Sequence, residues 1–188
     1  MKFDIKYFYI LLGVIVIGMV TFFIVSRDVE ENKSKIPDDE FHRNLKMDPH
    51  IDESILRKID SLETVLGKNP RDTITLHALG FIYLQAHKFD KALSTFENLL
   101  DLTPYRTDIM TVLAEVNFYI QKYEKSESYL KKILSIEKEN NTARYNLGVL
   151  YLVQGKKDLA KKMWAEIVKK DTVSEIGKMA KNSMESIQ

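Results

Sequence analysis

Apolar and polar positions divide the chain into three regimes. Residues 7–25, YFYILLGVIVIGMVTFFIV, carry no charged side chain. Residues 26–36, SRDVEENKSKI, are polar and lack any apolar period, the pattern of a flexible tether. From about residue 50 apolar side chains return at spacings of three and four, the period of an amphipathic helix. Ile55, Ile59, Leu62 and Leu66 form one such row, Leu76, Leu79 and Tyr83 a second, and Leu93, Phe96 and Leu100 a third. Short polar breaks, AHKFD, QKYEK and QGKKD, fall between paired rows. The pattern predicts an all-α chain: one N-terminal transmembrane helix, then a solenoid of about three helix-turn-helix blocks with a capping helix at each end.

The solenoid expectation rests on a repeat. LHALGFIYL (76–84) returns as RYNLGVLYL (144–152), and three blocks of equal length, 73–106, 107–140 and 141–174, supply the middle copy. In that register Leu79-Gly80 aligns with Leu113-Ala114 and Leu147-Gly148, and Tyr83 with Asn117 and Tyr151. Ala92 aligns with Ser126 and Ala160, Phe96 with Leu130 and Trp164, and Leu99 with Ile133 and Ile167. A small residue at the eighth and twentieth positions lets two helices approach closely, and a bulky one at the twenty-fourth fills the space between pairs. Pro104 closes the first block, with Pro70 standing one block length before it. This pattern resembles the tetratricopeptide repeat (TPR) over about residues 50–188. The middle block departs from it, with Asn117 for tyrosine and Lys138 for the closing proline.

Both ends of a solenoid need covering. Residues 175–188 place Ile176, Met179, Met184 and Ile187 on one broad face, as expected of a C-terminal capping helix. Residues 48–68 read as an N-terminal packing helix, the second helix of a missing earlier block, with Asp48-Pro49 as its start. Residues 26–47 are a tether containing a short helical stretch, in which Phe41 and Leu45 would lie against the repeats.

For residues 7–25, a helix would span roughly 28 Å, close to the hydrocarbon thickness of a bilayer. Lys6 and Arg27 flank it, with Tyr7, Tyr9, Phe22 and Phe23 near its ends. The stretch closes in FFIVSRD (22–28), where a cleaved leader would show small residues, which favours a retained anchor behind the N-terminal flank 1–6. Lys2 and Lys6 on one side and Arg27, Lys33 and Lys35 on the other leave the orientation nearly balanced. Gly13 and Gly18 are five apart, which misses the spacing of a helix-dimer motif.

Composition narrows the chemistry. A formal net charge of +1 over 188 residues argues against a nucleic-acid binder. The absence of cysteine removes disulfides, thiolate metal sites and cysteine nucleophiles. Asp38, Asp39, Glu40, His42 and His50 lack a defined ligand spacing, and the acids suit a helix N-terminus instead. No phosphate loop, nucleophile elbow or His-Glu-x-x-His motif is present. The expectation is a protein without catalytic residues, metal or cofactor. The lysine-rich run 155–170 reads as the solvated face of a second helix.

The TPR resemblance implies where a partner would bind. The first helix of each block lines the concave face, which presents Ile74, His77, Phe81, Leu84 and Gln85 from the first block. The second gives Asp108, Thr111, Glu115, Phe118 and Tyr119, and the third Thr142, Tyr145, Val149, Leu152 and Val153. TPR co-chaperones of the cytosol hold a C-terminal carboxylate with Lys, Arg and Asn at such places. Here His77, Phe81, Asp108 and Glu115 replace that clamp, so the expected ligand is an apolar protein or peptide segment, with a basic flank meeting Asp108 and Glu115. Exposed apolar area of this extent is uncommon on a monomer, so the chain's own N-terminal helix or a second protomer could fill part of it. The layout of anchor, tether and repeats resembles small bacterial cell-envelope TPR proteins of the cytochrome c-type biogenesis kind. That likeness implies an inner-membrane protein with periplasmic repeats, serving as an assembly scaffold or as a holdase for unfolded clients.

Overall fold

The computed structural model describes residues 53–187. These form eight helices: α1 (Glu53–Lys68), α2 (Thr73–Gln85), α3 (Phe89–Leu102), α4 (Thr107–Tyr119), α5 (Tyr123–Ile136), α6 (Asn141–Val153), α7 (Lys157–Lys170) and α8 (Glu175–Glu185). Three hairpins, α2/α3, α4/α5 and α6/α7, stack in chain order, with α1 on α2 at one end and α8 on α7 and α6 at the other. Among the described residues there is no strand, and no helix is long and apolar enough to cross a membrane. The apolar stretch 7–25, the tether 26–47 and the first residues of the expected packing helix lie outside the described residues.

The helices start and stop where local chemistry dictates, in step with the sequence repeat. Asp72, Asn140 and Ser174 precede α2, α6 and α8, and each side chain accepts a backbone N–H of the first turn: Ile74 at 3.0 Å, Ala143 at 2.8 Å and Gly177 at 3.2 Å. Such caps satisfy donors that the helix cannot. Arg106, at the same place before α4, makes no side-chain cap.

At the other end of each first helix the chain turns through a left-handed residue: His87 (φ 54°), Gln121 (φ 63°) and Gly155 (φ 75°). The next backbone N–H groups, from Lys88, Lys122 and Lys156, return to Tyr83, Asn117 and Tyr151 carbonyls at 2.8 Å. This is the Schellman arrangement, which suits glycine because it has no Cβ. Only the third block uses glycine. Gln121→Gly is therefore expected to stabilise the chain by about 0.5–1 kcal/mol. A higher urea midpoint with an unchanged slope would register that gain, and a lower midpoint would mean that Gln121 makes contacts worth more than its strain.

Packing between the helices follows the small-large pairing. A Cβ at Gly80 would lie 2.6 Å from the Phe96 ring, and one at Gly148 would run into the Trp164 indole. Alanine stands at the same place in the middle block, opposite the smaller Leu130, and both are buried. Leu99, Ile133 and Ile167, at the same place in each second helix, are each 0% exposed.

Tyrosines tie successive blocks together at their edges. The Tyr83 hydroxyl donates to Glu63 on α1, which Lys91 also approaches at 3.1 Å. Tyr151 donates to Glu127 at 3.1 Å. These hydrogen bonds, with the lysines beside them, hold both carboxyls below the usual range, the largest cause being Tyr83 for Glu63 and Lys131 for Glu127. The middle block lacks its tyrosine. Asn117 is buried there, donates back to the Leu113 carbonyl at 2.7 Å, and leaves its Oδ1 without a partner. Tyr129, from the second helix, reaches Glu97 at 3.3 Å instead. Burial and that neighbouring carboxylate push the Tyr129 phenol up to about 12.

The candidate partner-binding face

The first block presents its expected surface nearly in full. Ile74 is 80% exposed and Phe81 41%, Gln85 is exposed, and His77 is half-buried. Leu84 faces inward and is buried. The Phe81 ring lies 4.9 Å from His77 and, in an edge-to-face arrangement, 5.1 Å from Phe96. Phe96 is itself fully buried. Phe81 is thus an aromatic side chain braced by the core while its outer face meets solvent, which lowers the entropy lost on binding.

The second block offers less charge than its sequence suggests. Asp108 is exposed, yet the Arg106 guanidinium grips it bidentately at 2.7 and 2.6 Å. That hydrogen-bonded arginine holds the Asp108 carboxyl below the usual range. A basic flank on a partner would have to compete with Arg106, which makes Asp108 a less ready acidic contact than its sequence suggests. The physical reason is a neighbour two residues earlier that points along the same face. Thr111 donates back to the Thr107 carbonyl at 2.9 Å, and Glu115 is half-buried. Phe118 is half-buried, 5.8 Å from the Tyr123 ring. Tyr119 is 40% exposed and packs 5.2 Å from Phe89.

The third block is different. Thr142 is exposed and Val153 half-buried, but Tyr145, Val149 and Leu152 are buried. The Tyr145 hydroxyl meets Ser183 of α8 at 3.1 Å, and its ring lies 6.0 Å from Trp164. These three positions are not an open surface: α8 packs against α6 and α7 and covers Tyr145, and Leu152 is buried like Leu84 at the same place in the first block. The open part of the face is therefore two blocks wide, centred on Ile74, Phe81 and Tyr119.

Elsewhere, the lysine-rich helix α7 has Lys157, Lys162 and Lys169 exposed, while Lys170 pairs with Glu139 at 2.7 Å. Arg144 is buried and reaches Glu166 at 3.1 Å. No group of three or more His, Cys, Asp or Glu among the described residues could hold a metal ion, and the acids and histidines between 38 and 50 lie outside them. Sequence reasoning passed over Leu56 and Val65, two exposed apolar side chains on α1. The signal was available, since Val65 stands one block length before the buried Leu99.

Comparison with known proteins agrees with this architecture. Residues 142–171 match the family model described as tetratricopeptide repeat, TPR_6. No curated protein matches the chain by sequence. Among solved structures, a TPR protein from Parabacteroides merdae has a TM-score of 0.64 at 19% identity, covering 86% of this chain and 60% of that one. MamA gives 0.59 at 20% identity, covering 69% and 74%. The first TPR of Spaghetti (RPAP3), bound to the HSP90 peptide SRMEEVD, gives 0.53 at 21% identity, covering 61% and 89%. At these identities the likeness is one of fold: the described residues form a TPR-like α-solenoid.

Proposed function

We propose that the chain is a membrane-anchored TPR scaffold whose first two blocks bind an apolar segment of a partner protein. The observation that carries this reading is Phe81, 41% exposed yet set edge-to-face against the buried Phe96, with the exposed Ile74 on the same helix. An aromatic anchor held in place by the core, with apolar neighbours, is the composition of a binding hot spot. The RPAP3 neighbour carries an acidic HSP90 peptide. This chain has His77, Phe81, Asp108 and Glu115 where a carboxylate clamp would need basic groups, so its ligand is read as apolar rather than acidic. The reading assigns it no catalytic role.

A photo-crosslinking amino acid in place of Ile74, introduced into the full chain in cells, tests the proposal. A few discrete adducts that fall at least tenfold with Phe81→Ser plus Tyr119→Ser are expected. Adducts unchanged by those substitutions would remove the face from the argument, and a continuous smear would favour the holdase reading.

Anchoring through residues 7–25 and a periplasmic position for the repeats belong to the same proposal, supported by the uncharged stretch and the layout of the chain. With no native cysteine, Ser34→Cys gives a unique thiol. Labelling by an impermeant maleimide in intact cells is expected. Labelling only after lysis would turn the search to cytoplasmic complexes docked at the membrane.

A further inference from the structure

Among the described residues, one helix of the solenoid lacks the neighbour that its counterparts have. In the repeat register α1 is a second helix, and its Lys58, Leu62 and Val65 stand one block length before Ala92, Phe96 and Leu99. In α3, α5 and α7 that row is covered by the first helix of the same block and is buried throughout. In α1 Lys58 is exposed, Leu62 is half-buried and Val65 is 43% exposed. Leu56 adds a further exposed apolar side chain. The uncovered row is the one that a first helix would cover.

We propose that the chain's own residues 38–47, DDEFHRNLKM, occupy this face and complete an additional, shortened block. Three register matches identify the occupant. Asp38 falls one block length before Asp72, the side chain that caps α2, and heads the series continued by Arg106, Asn140 and Ser174. Phe41 falls in the series of Thr75, Ile109 and Ala143, all buried. Leu45 falls in the series of Leu79, Leu113 and Leu147, the buried leucines of the repeat signature. Pro49 stands where Tyr83 and Tyr151 stand in the complete blocks, so the segment ends about a turn early. Lys46 and Lys58 replace the small residues of the close approach. The proposed packing is therefore at a wider separation than in the complete blocks.

The inference goes beyond partner binding, because it fixes the solenoid's first end and, with an anchor at 7–25, its distance from the membrane. Residues 26–37 alone would then link the block to that anchor, a span of at most roughly 40 Å when fully extended.

The test uses the complete chain in detergent micelles. The close pair Gly80 and Phe96 has its register counterpart in Lys46 and Leu62. Lys46→Cys with Leu62→Cys, treated with a short bismaleimide, is expected to link within one chain at a rate independent of protein concentration. Lys46→Cys with Val173→Cys, at the far end of the solenoid, should link at least tenfold more slowly. Leu45→Asp is expected to speed hydrogen exchange of α1 at least tenfold while leaving α4 to α7 unchanged. Links formed only between copies would mean that a second protomer covers α1, and would overturn the proposal. Absence of the link, or exchange in α1 unmoved by Leu45→Asp, would overturn it equally.

Discussion

Alanine at Gly148 is expected to destabilise the chain by about 1–3 kcal/mol, and the same substitution after Trp164→Leu is expected to stabilise it. Glycine inside a helix costs about 1 kcal/mol relative to alanine, so its presence in the middle of α6 needs a compensating reason. The reason is the indole: an added Cβ would meet Trp164. Trp164 has nowhere to retreat, being fully buried with its Nε1 donating to the Tyr145 carbonyl at 3.2 Å. The middle block is the natural control, since Ala114 and Leu130 occupy the same two places and both are buried. With leucine at 164, the methyl fits and the helix gains its propensity. Urea midpoints of the four variants would give a coupling of about 2 kcal/mol or more. Equal effects of Gly148→Ala in both backgrounds would mean that the glycine serves something other than the indole.

The same pairing explains how much of the fold was legible in advance. Leu79, Gly80, Ala92, Phe96 and Leu99 each touch neighbours within their own block or the next, so the packing repeats with the sequence, and their counterparts in the second and third blocks are buried alike. The caps Asp72, Asn140 and Ser174 obey that period too. The left-handed turn is visible only at Gly155, because His87 and Gln121 adopt its conformation against their preference.

The candidate face was read less well, for a different physical reason. Whether a first-helix residue is open depends on the element packed after its block, and the third block is succeeded by α8 rather than by another full pair. Periodicity carries no information about a neighbour that breaks the period. Asp108 likewise looked available because its partner, Arg106, sits in a connecting segment outside the helix pattern.

Tyr145→Ser is therefore expected to cost about 3–5 kcal/mol, whereas Phe81→Ser should cost about 1 kcal/mol or less. In the register the two residues belong to the same face, at the fifth and ninth positions of a first helix, and the sequence alone makes them equivalent choices for disabling it. The structure separates them. Tyr145 is 2% exposed, packs beside Trp164 and holds Ser183, so serine there leaves a cavity and removes the hydroxyl that ties down α8. Phe81 loses only the parts of its ring that rest on Phe96 and His77. Urea unfolding of both variants would measure the difference, and limited proteolysis would place it, with cleavage after residue 171 accelerated in Tyr145→Ser alone. A Tyr145→Ser chain of unchanged stability that still lost its partner would mean that α8 lifts away in solution, and the binding face would then extend across all three blocks. Loss of stability with the partner still captured in the folded fraction would confine recognition to the first two blocks, where Ile74, Phe81 and Tyr119 stand open.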